Sequence, residues 1–307
     1  MTLIKMTKTN LIAPPFLKSG DYIGIVAPAR KISADELSIA VRQLESWGLK
    51  VKLGKHIYSV SHQFSGTDDE RTVDMQQMLE DKEVKAIIAA RGGYGSVRII
   101  DKLDFTKFRQ TPKWIAGFSD ITVFHSHIQT HFGVQTLHST MPFNFGKDAE
   151  STDLLRKALL GEVNEYKIEA QPINKKGKSS GILCGGNLSL LYALAATPSD
   201  IETRGKILFL EDLDEYLYHI DRMMMQLKRS GKLAHLNGLI IGSFSEMKDN
   251  IIPFGEIAEQ IILESVKEYN YPVCFGFPAG HGIKNFPLYM GRNVELVVDD
   301  KNATLLY

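Results

Sequence analysis

The alternation of apolar and amphipathic segments along the first half of the chain constrains the fold more than any other feature. Short apolar runs alternate with segments in which apolar residues recur at helical spacing. The predicted strands are 22–27, 50–53, 84–90 and a run beginning at Trp114, and the predicted helices are 33–47, 68–79 and 97–103. Apolar runs of this length are typical of buried strands, and their alternation with helices favours a parallel, doubly wound α/β sheet.

The pattern changes between about residue 147 and residue 180. This stretch is polar and ends in Asn-Lys-Lys-Gly-Lys-Ser-Ser, so we interpret it as the crossing to a second domain. We therefore expect an N-terminal domain over residues 1–165 and a smaller C-terminal α/β domain over residues 166–307. The C-terminal predictions are strands at 206–210, 239–242 and 272–277, helices at 188–196, 218–228 and 257–266, a Gly-rich turn within 181–186, and a closing hairpin of 293–298 and 303–307.

Composition excludes several classes of function. The chain has 307 residues, 44% of them hydrophobic and 23% charged, with 36 basic residues against 36 acidic ones. The balanced charge and the absence of a basic stripe argue against a nucleic-acid partner. No apolar run in the sequence is long enough for a membrane span. Cys184 and Cys274 lie in apolar contexts without metal-binding spacing, so we expect buried free thiols. The N-terminus lacks the apolar stretch of a secretory signal, which favours a cytoplasmic protein.

Ser119 is the strongest candidate for a catalytic residue. It follows the apolar run at 114–116 and precedes an amphipathic segment that begins at Ile121, so residues 117–120 must form a tight turn from strand to helix. Such a turn presents a hydroxyl beside backbone N–H groups that can receive an oxyanion, as in a nucleophile elbow. The segment lacks the second glycine of G-x-S-x-G, and a serine before a helix is also an ordinary N-cap. At this point both interpretations stay open.

Other candidates also follow predicted strands, where functional residues of open α/β sheets collect. The segment Arg91-Gly-Gly-Tyr-Gly95 exposes backbone N–H groups but lacks the spacing of a nucleotide-binding loop, so it is either an anion site or a plain turn. Glu211 follows four apolar residues and is either functional or a solvated strand end. His281 lies between two glycines in a loop. Ser119, Glu211 and His281 occur in the chain order of an α/β-hydrolase triad.

A cluster of histidines has the appearance of a metal site but not its pattern. His127 and His131 share a helix face beside His125. Position 128 is Ile, where the zinc motif H-E-x-x-H needs its glutamate. We expect satisfied or surface histidines here, and no metal.

Seven segments, in order along the whole chain, resemble the LD-carboxypeptidases, a family of serine peptidases. They are Ile-Gly-Ile-Val-Ala-Pro at 23–28, Gly-Thr-Asp-Asp-Glu-Arg at 66–71, Ala-Arg-Gly-Gly-Tyr-Gly at 90–95, Gly-Phe-Ser-Asp at 117–120, Gly-Gly-Asn-Leu-Ser at 185–189, Leu-Phe-Leu-Glu-Asp at 208–212 with Tyr218, Asp221 and Arg222, and Gly-His-Gly at 280–282. Seven ordered matches are far more specific than any one of them.

The resemblance implies a Ser119–Glu211–His281 triad and an oxyanion hole made by the N–H groups of Gly93 and Asp120. It implies an N-terminal flavodoxin-like domain and a C-terminal domain of the swivelling β/β/α type, with the site in the cleft between them. It further implies a homodimer that needs no cofactor. The implied reaction hydrolyses an L,D-peptide bond and releases the terminal D-alanine of a murein tetrapeptide, a small peptide recycled from the cell wall in the cytoplasm.

Two residues are candidates for substrate binding, and two other functions compete with the reaction above. Arg91 would pair with the terminal carboxylate of the peptide, and Asn187 would contact the peptide chain. One rival is a microcin-immunity carboxypeptidase that hydrolyses an aminoacyl-nucleotide-like toxin and would need aromatic residues to stack the base. Trp47 and Trp114 both fall in predicted core elements. The other rival is a non-catalytic protein that closes on a small ligand.

Overall fold

Two sheets form the core of the protein, whose computed structural model describes residues 11–307. The strands are β1 (Tyr22–Val26), β2 (Lys50–Leu53), β3 (Val84–Ala89), β4 (Trp114–Gly117), β5 (Thr136–His138), β6 (Glu165–Glu169), β7 (Gly177–Asn187), β8 (Ile207–Leu213), β9 (Gly238–Ser245), β10 (Val273–Cys274), β11 (Leu288–Met290), β12 (Asn293–Val298) and β13 (Asn302–Leu306). The α-helices are α1 (Ala34–Ser46), α2 (Asp68–Glu80), α3 (Thr106–Gln110), α4 (Thr122–Phe132), α5 (Ala149–Leu160), α6 (Leu188–Leu194), α7 (Leu217–Arg229) and α8 (Ala258–Val266).

The first sheet has the strand order β2-β1-β3-β4-β5, with β11 added antiparallel beside β5. The first five strands are parallel, and their order is that of flavodoxin-like sheets, which confirms the predicted doubly wound domain. The helical segment predicted at 97–103 is present only as two single 3₁₀ turns, Ser96–Arg98 and Ile100–Lys102, and no continuous helix forms. Ile99, which joins the two turns, has a φ of −116°.

The second sheet has the order β10-β9-β8-β7-β12-β13-β6, in which β7 to β10 are parallel and the rest antiparallel. The closing hairpin is confirmed as β12 and β13. The predicted Gly-rich turn is wrong, since β7 runs straight through it. Gly185 and Gly186 serve close packing instead: a Cβ on Gly185 would lie 2.0 Å from the Phe209 carbonyl oxygen, and one on Gly186 would lie 2.5 Å from Thr122 Oγ1.

The polar stretch at 147–180 is more structured than predicted. It contains α5, whose N-terminus is capped by Asp148, since the Ser151 amide donates to that carboxylate at 2.9 Å. Leu155, Ala158 and Leu159 bury one face of the helix, so a narrow apolar stripe decides the structure despite the polar composition. The domain division at residues 165 and 166 stays a prediction. One strand beyond this division, β11, belongs to the first sheet.

The carboxyl ends of the parallel strands of both sheets meet at one cleft. Loops after β1, β3, β4 and β5 reach it from the first sheet, and the ends of β7 and β8 and the loop after β10 reach it from the second. Side chains from seven connections therefore converge on one volume, as expected at the carboxyl edge of open α/β sheets. Within residues 11–307 no helix is long and apolar enough to cross a membrane. Cys184 and Cys274 are buried free thiols, as predicted.

Candidate active site

A cavity of about 480 Å³ lies between the two sheets and contains most of the residues singled out from the sequence. Ser119, His281, Gly93, Arg91 and Asn187 all line it. The two other candidates lie behind this lining: Glu211 is fully buried beneath His281, and the side chain of Asp120 is fully buried beneath the turn that carries Ser119. The predicted residues are thus brought together from both sheets.

Ser119 occupies a strained turn rather than a helix cap. Its φ is +63°, in the left-handed region that serine rarely adopts. The residues that precede the 3₁₀ turn and α4 are Phe118 and Ile121, and neither helix start has a side-chain cap. The N-cap interpretation is therefore wrong. Gly117, with a φ of +148°, permits the tight turn, because a Cβ there would lie 2.8 Å from Ile121 Cγ1. Strain of this kind persists when the surrounding structure enforces it, often at functional sites.

The glycine loop after β3 lies directly against Ser119. A Cβ on Gly92 would lie 3.2 Å from Ser119 Oγ, a tight contact that glycine avoids. The side chain of Asp120 fastens the loop to the turn by accepting the Ser96 amide at 2.8 Å. Burial raises the pKa of Asp120. Residues 91–95 therefore form a loop that packs beside Ser119 and is tied to its turn, and whether the loop binds an anion stays a prediction.

His281 and Glu211 form a buried pair. His281 Nδ1 donates to Glu211 Oε2 at 2.6 Å, and the His281 amide donates to the same oxygen at 3.2 Å. Glu211 is 0% exposed, so it is no solvated strand end. Gly280, with a φ of +109°, makes this approach possible, because a Cβ there would lie 2.6 Å from Glu211 Oε2. The glycine before His281 therefore belongs to the pair as much as the two side chains do.

The carboxylate controls the protonation of the histidine. Burial lowers the pKa of His281, but the charge of Glu211 and its hydrogen bond raise it by more, so the pKa lies above its ordinary value. The ring of Phe118 packs against the imidazole with a centroid distance of 4.7 Å. An imidazole held by a carboxylate at Nδ1 leaves Nε2 as the atom that can accept a proton.

A second buried carboxylate, Asp212, organises the wall of the cavity beside Glu211. Its oxygens accept from Asn187 Nδ2 at 2.9 Å and from Ser189 Oγ at 2.8 Å. Burial raises the pKa of Asp212 to about 6, and the neighbouring charge of Glu211 adds to that shift. The Asn187 oxygen also accepts the Leu190 amide at the start of α6. Both ends of the Asn187 amide are thus engaged within the protein, and a peptide contact from it stays a prediction.

The opposite wall of the cavity is basic. Arg30, Arg91 and Lys147 line it, and the Arg91 and Lys147 cations lie 3.9 Å and 4.4 Å from the centroid of the Phe143 ring. Arg91 also lies 3.8 Å from Glu36. Arg30 could not be predicted from the sequence, because it follows a strand but belongs to no recognisable motif.

The histidine cluster on α4 is engaged in protein contacts. His125 bonds the Gly117 carbonyl at 2.9 Å, His127 bonds Ser199 Oγ at 2.9 Å and His131 bonds the Pro198 carbonyl at 2.8 Å. Each of the three rings thus makes one hydrogen bond within the protein, in line with the predicted surface or satisfied histidines, although His125 Nδ1 is buried without a partner among the described residues. These bonds also tie α4 to the β4 turn and to the loop after α6.

Several site residues were missed from the sequence. Gly92, Gly280, Asp212 and Arg30 each touch the candidate triad or line the cavity beside it. Both glycines belong to segments named above, but their role depends on a close approach between two separate strand ends of the same sheet. No local pattern reports such a contact. Asp212 directly follows Glu211, where the sequence is also compatible with a solvated strand end, so its buried hydrogen-bond network could not be predicted.

Known proteins resemble the chain over its whole length. Models of the LD-carboxypeptidase N-terminal and C-terminal domains match residues 23–139 and 180–296. A probable murein peptide carboxypeptidase of Bacillus subtilis (strain 168) is 37% identical over 302 residues, which cover 95% of this chain and 93% of the relative. Muramoyltetrapeptide carboxypeptidase from Oxalobacter formigenes superposes with a TM-score of 0.84 at 29% identity, covering 92% of this chain and 97% of that one.

A further structure shows a likeness of fold alone. The microcin C7 self-immunity protein MccF in complex with aspartyl sulfamoyl adenosine superposes with a TM-score of 0.85 at 21% identity, covering 97% of this chain and 98% of that one. The fold and the matches together define a serine-type carboxypeptidase. The chain belongs to the LD-carboxypeptidase family.

Proposed function

We propose that the protein releases the terminal D-alanine from murein tetrapeptides, with Ser119, Glu211 and His281 as its catalytic triad. The observation that carries this proposal is the hydrogen bond of 2.6 Å between His281, which lines the same cavity as the strained Ser119 turn, and Glu211, which is buried behind it. A histidine oriented by a carboxylate, facing the same cavity as a half-buried serine hydroxyl and a glycine loop, suits the activation of a serine nucleophile.

In the first half of the reaction, Ser119 Oγ attacks the carbonyl carbon of the diamino acid while His281 Nε2 takes the hydroxyl proton. The oxyanion that forms is received by the N–H groups of Gly93 and Asp120. His281 then gives its proton to the departing amine, the C–N bond breaks, and D-alanine leaves. The acyl group stays on Ser119 as an ester.

In the second half, a water molecule attacks that ester with His281 again acting as the base. The C–O bond to Ser119 breaks, and the hydroxyl recovers its proton from His281. Glu211 stays ionised throughout and stabilises the imidazolium at each step. The close packing of Gly92 against Ser119 supports this scheme, because it leaves the backbone of the glycine loop beside the atom that attacks.

The charge on the cavity walls supports a peptide with groups of both signs. Arg30, Arg91 and Lys147 lie on the wall of the first sheet, while Asp212, Asp214 and Glu215 lie on the wall of the second. A murein tetrapeptide with a diamino acid before its terminal D-alanine offers a carboxylate to one wall and an ammonium group to the other. Complementary charge of this kind fixes orientation more than it adds affinity.

The aminoacyl-nucleotide reaction has less support. Stacking a base needs an exposed aromatic ring in the cavity, and among the described residues the lining rings are Phe118 and Phe143. Phe118 packs on His281, and Phe143 carries the two cations described above. Trp114 is fully buried and packs in the core of the first sheet.

Mass spectrometry of the purified protein with free murein tetrapeptide tests the proposal, with Ser119→Ala in parallel. We expect loss of one terminal alanine with the wild type and at least a thousandfold slower release with the variant. A serine-directed phosphonate should label the wild type and not the variant. Release of alanine by both proteins would refute Ser119 as the nucleophile. If alanine is not released and the phosphonate does not label the protein, the ligand-binding alternative is favoured. If the protein is labelled but releases no alanine, the aminoacyl-nucleotide reaction is favoured.

A place in cell-wall peptide recycling, a cytoplasmic location and a homodimer stay predictions of the family resemblance. The same peptide assay addresses the first of these, because a recycling enzyme should prefer the free tetrapeptide. Analytical ultracentrifugation of the purified protein measures the oligomeric state directly.

A further inference from the structure

Arg91, the first candidate for the terminal carboxylate, is already engaged by the protein. Its Nη1 donates to the Lys31 carbonyl at 3.3 Å and lies 3.8 Å from Glu36. Its guanidinium also stacks on Phe143 at 3.9 Å from the ring centroid. An arginine held by a carbonyl, a carboxylate and an aromatic face is a fixed cation in the wall, with part of its charge already compensated.

Arg30 differs from Arg91 in each of these respects. It lines the same cavity and is exposed. Among residues 11–307, the arginine of this wall that forms an ion pair is Arg91, not Arg30. The two guanidinium groups lie close enough for the charge of Arg30 to lower the pKa of Arg91, after the larger effect of burial. Placing like charges together costs energy that an anion between them repays.

The stem of Arg30 lies against one of the proposed oxyanion donors. A Cβ on Gly93 would be 2.6 Å from both Cγ and Cδ of Arg30, so the glycine lets the arginine cross over the loop at this point. In a carboxypeptidase the terminal carboxylate lies one residue beyond the scissile carbonyl, about 4 Å from it. A cation that holds this carboxylate must therefore lie within a few ångströms of the oxyanion hole, which is where the Arg30 side chain passes.

We propose that Arg30 is the residue that binds the terminal carboxylate of the substrate and so restricts the enzyme to free C-termini. Arg91 acts as the positioning residue of this pair: fixed on Phe143, it sets the anion-binding corner without donating the main contact. The inference rests on the proposed function, since it assigns the group that the proposed peptide would present. A guanidinium pairs with a carboxylate through two parallel hydrogen bonds, which would hold the scissile bond in register over Ser119.

The experiment compares two substrates, murein tetrapeptide and the same peptide with a C-terminal carboxamide. The variants are Arg30→Gln and Arg30→Lys, with Arg42→Gln as the matched control, because Arg42 is an exposed arginine of α1 outside the cavity. We expect Arg30→Gln to lower kcat/KM on the free acid about 10- to 100-fold and to change it little on the carboxamide. Arg30→Lys should restore part of the preference for the acid, and Arg42→Gln should behave as the wild type.

The outcomes separate the two proposals. If the wild type cleaves the free acid but Arg30→Gln keeps the full preference for it, the assignment of Arg30 is wrong. An equal loss on acid and carboxamide also refutes it, because that pattern reports a damaged site rather than a lost carboxylate contact. If the wild type cleaves neither peptide, the proposed function itself fails. Loss of the preference in Arg30→Gln alone supports the inference.

Discussion

Replacement of Glu211 by glutamine tests the central electrostatic argument of the site. The substitution preserves the size of a fully buried side chain and removes its charge. Glutamine also offers an N–H where the carboxylate accepts one, so His281 Nδ1 loses the partner that fixes its tautomer. We expect Glu211→Gln to fold, to bind substrate and to lose most of its turnover.

The expected size of the loss follows from the geometry. With His281 Nδ1 and Glu211 Oε2 2.6 Å apart, the centres of the two charges are about 4 Å apart, where the attraction is about 4 kcal/mol at an effective dielectric constant of about 20. That energy corresponds to about a thousandfold in the stability of the imidazolium. In the proposed mechanism the imidazolium forms in the transition state, so kcat should fall by about the same factor.

The assay is the initial rate of D-alanine release as a function of pH. His281 must be neutral to act as a base, so kcat/KM of the wild type should rise with pH through an apparent pKa above 6.5. In Glu211→Gln this midpoint should move to lower pH, because the raising charge is gone. The control is Glu268→Gln, an exposed surface carboxylate paired with Lys228. A folded Glu211→Gln protein within tenfold of the wild-type kcat, or a midpoint that moves upward, would refute the reasoning.

Two further predictions concern the groups around this pair. Gly280→Ala should lower the free energy of unfolding by about 1–3 kcal/mol and reduce kcat, because its φ of +109° and the 2.6 Å approach to Glu211 both exclude a side chain; thermal melts should show a smaller loss for Gly282→Ala, whose Cβ would lie 3.2 Å from its nearest neighbour. Asp212 has a pKa of about 6 against an ordinary 3.8, so the folded state binds more protons and this group's stabilisation falls as pH rises through that window. Asp212→Asn should remove that component, and urea titrations at several pH values would contradict the claim if both proteins share one pH profile.

The fold was largely predictable from the sequence because its strands are short and continuously apolar. Strands β1, β3 and β4 are buried on both faces. Such strands have continuous apolar runs, which can be recognised in the sequence without knowing what packs against them. The errors occurred where packing between elements decided the structure. Gly185 and Gly186 have the composition of a turn, yet they lie inside β7. They are glycines because Phe209 and Thr122 approach too closely for any side chain.

The candidate site divides in the same way. Ser119, Glu211 and His281 could be proposed because each follows a strand or a glycine, which is a local property of the chain. Arg30 could not be proposed, because its role depends on its contact with Gly93, more than sixty residues away, and on the ion pair between Arg91 and Glu36. Whether a cation is compensated depends on neighbours that only the folded chain supplies.

The return of β11 to the first sheet has a consequence for the biosynthesis of the protein. Between β10 and β12 the chain leaves the second sheet, carries His281 past the cleft, pairs with β5 and then goes back. A nascent chain that has emerged only as far as β5 therefore has an open sheet edge, a feature that invites aggregation, and still lacks His281, the proposed base. If His281 is the base, as proposed, peptidase activity begins only when almost the whole polypeptide has left the ribosome, and an incomplete translation product is inert as well as prone to aggregate.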